Sequence, residues 1–319
     1  MRARAVDRAR WLRRAIATLA AIAMSVSACE HEVARAPAAE PTAGSPVAST
    51  APATPTITPP RAVAPTPEPR AAPRTPATPR ETVITRTTRS GVTVRVWLGR
   101  PAGAPRRVVM LLAGGSGRLG LSDRGIGTGA EDGFLARTRD RFLAAGFVVA
   151  LVDVPSDRAE GLEGFRTSAE HAADLGAIAA WLRASDPVPL WMIGVSRGTI
   201  SAANAAARLG TAGPDGLVLL SPVTAGRHER LADVRIETIA VPTLVVHHRG
   251  DACSASPPTG ARALVRRLKR ATGSRSVALG QRARTPDEAD PCEALTRHGY
   301  LGVEAEVVDA IVDFVASSH

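Results

Sequence analysis

Lysine is all but missing from this chain, Lys269 being the only one among 40 basic residues. The formal charge of +10 is therefore an arginine charge, and aromatic residues make up only 3%. Nucleic-acid readers combine a basic surface with stacking aromatics or a reader helix, so this class is excluded. A Walker-type phosphate loop is excluded too, because no glycine run is followed by lysine. The three cysteines are too few, and too poorly supported by other soft ligands, for a metal cluster. No internal repeat is visible. The apolar stretch at residues 15–28 has 14 residues, where a membrane-spanning helix needs about 20.

What is present begins with targeting. Arg2, Arg4, Arg8, Arg10, Arg13 and Arg14 precede the short apolar stretch, the layout of a secretory signal. It ends in Val26-Ser27-Ala28-Cys29, which resembles the lipobox of bacterial lipoproteins. That resemblance implies cleavage before Cys29 and a lipid on its thiol, hence a membrane anchor; an ordinary signal peptide cut near Ala28 is the alternative. Glu30 does not decide which membrane would hold the anchor. Loss of residues 1–28 removes six Arg and one Asp and takes the formal charge from +10 to +5. Residues 31–80 hold 13 of the 25 prolines among Ala and Thr. Such a segment has too little apolar side chain to offset its ordering entropy and reads as a solvated tether. The organisation expected is a signal peptide at 1–28, an anchor and tether at 29–80, and one domain at 81–319.

Those last 240 or so positions suffice for one large core. Segments 82–88 and 92–98 alternate polar and apolar residues around Ser90-Gly91, as an antiparallel edge hairpin does. Continuous apolar runs follow at 107–112, 147–153, 189–195, 216–221, 242–247 and 275–279. Helical runs alternate with them at 134–145, 168–184, 197–209, 258–270 and 303–316. Strands buried on both faces and separated by helices predict an α/β fold with a mostly parallel, eight-stranded sheet.

The most informative stretch is Trp191-Met192-Ile193-Gly194-Val195-Ser196-Arg197-Gly198-Thr199. An apolar strand ends at a glycine, a serine stands between Gly194 and Gly198, and a small-residue helix starts at once. Flanking glycines let strand and helix approach, and the serine takes up strained backbone angles that lift its hydroxyl clear of the sheet. The helix N-terminus beside it favours developing negative charge.

With these residues on view, segment 81–319 resembles the α/β-hydrolase superfamily, whose chain order is nucleophile, acid, histidine. The resemblance implies Ser196 as nucleophile. It implies Asp251 as the acid, because Asp251 follows the 242–247 strand in His247-His248-Arg249-Gly250-Asp251, while Ser221-Pro222-Val223-Thr224-Ala225-Gly226 offers no carboxylate. His298, in Arg297-His298-Gly299-Tyr300 before the last helix, is implied as general base. His247 and His248 read as strand-end packing, His171 as a helix-face residue, His228 as loop, and His31 and His319 as terminal. Oxyanion donors are expected at the backbone N–H of Arg197 and of Gly115, with Ser116 as the other choice of register, because Ala113 stands where the common loop has histidine. Gly115, Gly117 and Gly120 also spell a dinucleotide fingerprint, but loop follows where that motif needs a helix.

Beside Cys29, Cys253 and Cys292 form an even pair in an exported protein, and a bridge would tie the acid loop to the histidine loop. Residues 222–241 are too few for a helical cap domain, so the site is expected to be open, walled by 114–129 and 156–165. Arg118, Arg124 and Arg197 could draw an acidic substrate, but in so arginine-rich a chain surface solubility is the stronger explanation. The expected activity is hydrolysis of carboxylic esters, lactones or thioesters through an acyl-enzyme, with no metal and no cofactor. A peptidase or acyltransferase on the same triad, and a tethered binding protein without turnover, are the other readings. The small-molecule substrate, the membrane through Cys29 and no nucleic acid complete the expected partners; oligomeric state is not readable.

Overall fold

Along β3 (Arg107–Leu112) Val108, Met110 and Leu112 face one side of the sheet, Val109 and Leu111 the other, and all five are buried. This two-sided burial explains the unbroken apolar runs, since a strand covered on both faces has no use for polar alternation. The computed structural model describes residues 80–227, 229–281 and 290–318. The signal, Cys29, the tether up to residue 79, His31, His228 and His319 lie outside the described residues.

The hairpin is formed by β1 (Arg80–Arg89) and β2 (Val92–Arg100). The sheet continues with β4 (Phe147–Pro155), β5 (Leu190–Val195), β6 (Gly216–Leu220), β7 (Thr243–His248) and β8 (Arg275–Leu279). Spatial order is β1-β2-β4-β3-β5-β6-β7-β8. The first two pairings are antiparallel and the rest parallel. One face is covered by α3 (Ala169–Ser185), α4 (Gly198–Leu209) and α5 (Pro258–Arg267). The other is covered by α1 (Phe134–Arg137), α2 (Arg139–Ala144) and α6 (Glu304–Ser317). Arg89 fastens the edge hairpin to the body through Asp157 at 3.1 Å and Asp174 at 2.9 Å.

The expected helix at 134–145 is two short helices. They break at Thr138, whose backbone sits at φ −105° and ψ 1° and whose hydroxyl donates to Phe134 C=O at 2.7 Å. A threonine hydroxyl bonded back to the preceding turn competes with the helical ladder and bends it. The fifth helix stops at Arg267, three residues before the expected end. Among the described residues between β6 and β7 there are two single turns of 3-10 helix, and no cap domain covers the sheet edge. Among the described residues no helix is long and apolar enough to cross a membrane.

Two contacts show how tightly the parts fit. A Cβ on Gly198 would collide with Leu112 C=O and lie 2.8 Å from Ala113 O, and one on Gly194 would collide with the Gly198 carbonyl. Helix α4 thus reaches the sheet backbone to backbone. On α3, His171 is turned inward, 4% exposed, against the Phe165 ring at 5.4 Å, and neither ring nitrogen has a partner. Burial, assisted by the charges of Arg166 and Arg89, lowers its pKa from 6.5 to about 3.

Gly198→Ala is expected to cost about 2 kcal/mol or more in urea unfolding, because backbone rather than a yielding side chain opposes the new methyl; a loss below about 0.5 kcal/mol would mean that α4 can retreat freely. His171 predicts acid lability of a definite sign. Between pH 6.5 and 3 the unfolded chain binds a proton at this histidine that the folded chain does not, so stability is full above 6.5 and declines as pH falls. His171→Leu should flatten that decline in denaturant midpoints measured between pH 7 and 4, and an unchanged slope would remove His171 as its source.

Candidate active site

Ser196 directly follows β5, two residues before α4, and its φ of +52° is the strained angle expected of this turn. Its N–H donates to Leu220 C=O at 2.8 Å, and its C=O accepts from Thr199 N–H at 3.0 Å and Thr199 Oγ1 at 2.6 Å. The hydroxyl is left as the free end of an otherwise pinned residue. Gly114 comes so near that a Cβ there would lie 3.0 Å from Ser196 Cβ.

Asp251 and His298 are brought together from loops 47 residues apart. Asp251 Oδ2 lies 3.0 Å from His298 Nδ1, with side chains 0% and 3% exposed respectively. Asp251 Oδ1 accepts from Cys253 N–H at 2.9 Å, so both carboxylate oxygens are engaged. The carboxylate holds the proton on Nδ1 and leaves Nε2 as the basic nitrogen. Nε2 is buried without a hydrogen-bond partner. Ser196 and His298 line one cavity of about 280 Å³, with Gly115, Ser116, Leu119 and Phe134. No hydrogen bond joins Ser196 Oγ to Nε2 in this resting geometry, a common state of such pairs before a ligand closes the site.

The expected oxyanion donors flank the same serine. Gly114 and Gly117 close a turn by a 2.8 Å N–H to C=O bond, with Gly115 at φ +54°. The N–H groups of Gly115, Ser116 and Arg197 have no partner among the described residues. Arg197 precedes α4 as its N-cap residue, so its N–H stands at the positive end of the helix. Ser196 also lines a second cavity of about 350 Å³, shared with Arg197, Arg227, Glu229, Cys253 and Cys292. Cys292 borders both cavities.

Cys253 and Cys292 are bridged, closing a separation of 39 residues. In the chain-entropy account a loop of that length is worth roughly 4 kcal/mol. Because Cys253 also bonds Asp251, the bridge holds the acid's loop against the segment leading to His298. Among the described residues no group of three or more His, Cys, Asp or Glu is gathered as metal ligands would be.

Two expectations are corrected. Segment 156–165 does not wall either cavity beside Ser196; it forms a separate surface depression and backs the glycine loop, Leu162 N–H donating to Ser116 C=O at 2.9 Å. Of the three arginines considered for substrate, Arg118 and Arg197 reach the cavities, while Arg124 lines neither. His247 and His248 are buried at the end of β7, as strand-end packing requires, and burial lowers the His247 pKa.

Sequence reasoning missed the residues that hold the site in place. Ser221, at φ +43°, donates from Oγ to His298 C=O at 2.7 Å. Its N–H meets Tyr300 Oη at 2.8 Å, and that hydroxyl donates to Val246 C=O at 2.9 Å. Complete burial pushes the Tyr300 hydroxyl pKa up and keeps it protonated. Arg166 was missed as well: it is 1% exposed, and donates to Ser201 Oγ at 2.8 Å and to Gly115 C=O at 3.1 Å. Nothing in sequence separates it from the other arginines, and only a serine following an apolar strand end could have flagged Ser221.

No family profile and no curated protein sequence matches the chain. Solved structures do. An esterase of Pyrococcus furiosus is 14% identical with a TM-score of 0.55, over 75% of this chain and 91% of that one. A highly thermostable carboxyl esterase from Bacillus coagulans is 15% identical with a TM-score of 0.51, over 75% and 98%. A serine hydrolase without lid from Xanthomonas campestris is 20% identical with a TM-score of 0.50, over 74% and 98%. Identities this low speak to architecture, and with the sheet order and the missing cap they establish that this chain has the α/β-hydrolase fold.

Proposed function

We propose that the domain is a serine hydrolase of carboxylic esters, or of the chemically close lactones and thioesters, acting through an acyl-enzyme. The observation that carries this reading is the shared cavity in which Ser196, strained at φ +52°, meets the His298 ring held 3.0 Å from Asp251. Fold neighbours that are esterases support it.

In this reading Nε2 of His298 takes the Ser196 hydroxyl proton as Oγ attacks the substrate carbonyl carbon. The imidazolium that forms is stabilised by Asp251. The carbonyl oxygen, now negative, accepts hydrogen bonds from the Arg197 N–H and from the glycine loop, through the N–H of Gly115 or, in the other register, of Ser116. Collapse breaks the bond to the leaving alcohol, which receives the proton from His298, and Ser196 keeps the acyl group as an ester. Water then repeats the sequence, giving its proton to Nε2, and releases the acid with Ser196 restored. The two cavities beside Ser196 would take the acyl and alcohol halves. At about 280 and 350 Å³ they lie at the small end of ligand sites, which favours short-chain esters.

We also propose export and anchoring through a lipid on Cys29, supported by the arginine-led apolar segment and its Val26-Ser27-Ala28-Cys29 ending. The Cys253–Cys292 bridge suits an oxidising compartment.

Short p-nitrophenyl esters should turn over faster than long ones on the oxidised protein, and a fluorophosphonate should leave its mass on Ser196 alone. Ser196→Ala should lose at least about 10³-fold in kcat/KM together with the label; activity retained by that variant would remove the whole acyl-enzyme reading. Cys29→Ser, expressed in a bacterial host, should shift the protein from the membrane to the soluble fraction, and continued sedimentation with membranes would overturn the anchor.

A further inference from the structure

A guanidinium withdrawn from water normally faces a carboxylate. Arg166 does not. It is 1% exposed, and its three hydrogen-bond acceptors are all neutral: Ser201 Oγ at 2.8 Å, Gly115 C=O at 3.1 Å and Ala113 C=O at 3.4 Å. Among the described residues no carboxylate forms an ion pair with it; Glu229, whose charge raises the Arg166 pKa, accepts from Gly164 N–H through Oε2 at 2.9 Å. Such an arrangement is costly, and removing it would leave the carbonyls of a tight loop without donors.

The acceptors belong to two different elements. Ser201 lies in α4, the helix that begins beside Arg197, whereas Ala113 and Gly115 lie in the loop after β3. Arg166 therefore spans the two elements that carry the expected oxyanion donors. A trans peptide also points its N–H opposite to its C=O. Holding Gly115 C=O thus turns the Ser116 N–H away from Arg166, toward the cavity that Ser116 lines. Fit leaves little freedom, since a Cβ on Gly117 would lie 2.9 Å from the Arg166 guanidinium.

We infer that Arg166 is the positioning residue of the oxyanion site: it clamps the Ala113–Ser116 backbone to α4, and its buried charge polarises the Gly115–Ser116 peptide toward the reacting carbonyl. The charge persists at neutral pH, because burial lowers the pKa only to about 10. A fixed positive charge in a dry setting stabilises a developing oxyanion more than it stabilises the neutral ester, so its effect belongs in kcat. The inference rests on the serine-hydrolase reading above and deepens it.

The experiment compares wild type with Arg166→Met, Arg166→Lys, Arg166→Ala and the milder Ser201→Ala on a short p-nitrophenyl ester, with fluorophosphonate labelling rates and urea midpoints measured in parallel. Arg166→Met should lower kcat about 10- to 100-fold with KM within about threefold, in the range of other supporting-shell substitutions. Labelling of Ser196 should slow in step, and millimolar guanidinium should restore several-fold activity to Arg166→Ala. Ser201→Ala should lower kcat about two- to fivefold with KM within about threefold and a cooperative urea transition retained. A folded Arg166→Met with wild-type kcat, or a loss carried wholly by KM, overturns the inference. If the Arg166 variants do not fold, wild-type kcat in Ser201→Ala overturns it. A wild type that is neither labelled nor active removes the hydrolase reading and this inference together, whereas an active wild type with indifferent variants removes this inference alone.

Discussion

The close approach of α4 to the sheet at Ser196 governs the geometry around it. A Cβ on Gly194 or Gly198 would run into backbone, and Gly114 passes within touching distance of the serine Cβ. Three chain segments converge there with no side chain between them, so the serine hydroxyl, the helix N-terminus and the glycine loop acquire fixed relative positions. The rest of the domain can be understood as what makes that convergence stable. Two helical layers bury the sheet on both faces, and the hydrophobic stabilisation they supply offsets a local backbone strain of about 1–3 kcal/mol per residue held at such an angle.

Strain is concentrated where the site is. Among the described residues Ser196, Ser221 and Tyr300 are the non-glycine residues with positive φ. Ser196 presents the hydroxyl, while Ser221 and Tyr300 secure the main chain around His298 through bonds to its carbonyl and to Val246. Each of these angles is over-determined by hydrogen bonds on both sides, which is how a sparsely populated conformation persists in a folded chain. The Cys253–Cys292 bridge adds a covalent constraint to the same region, joining the segments that carry Asp251 and precede His298.

Electrostatics around the serine are uneven in a way that suits negative charge. Arg166 is buried behind the glycine loop, Arg197 opens α4, and the helix N-terminus points the same way. The two arginines feel each other, Arg197 contributing to the lowered pKa of Arg166. On the opposite side the carboxylate of Asp251 is fully covered and lies 3.0 Å from His298 Nδ1. Positive charge thus stands on one side of Ser196 and negative charge behind His298, a separation that suits the general-base attack proposed above.

Much of this was legible in the chain itself. The apolar run at 107–112 coincides with β3, because two-sided burial writes itself as continuous hydrophobicity. Gly194-Val195-Ser196-Arg197-Gly198 marked the strained turn, since only glycine permits that approach, and chain order led to Asp251 and His298. Local signals of this kind depend on steric limits that a few neighbouring residues impose. What tertiary structure alone decided lies between segments distant in sequence: the outward place of 156–165, the pinning of His298 by Ser221, and the choice of Arg166 from so many arginines. The physical reason is that these roles depend on which carbonyls a side chain meets after the sheet has closed, and no pattern along the chain encodes a partner 77 or 51 residues away.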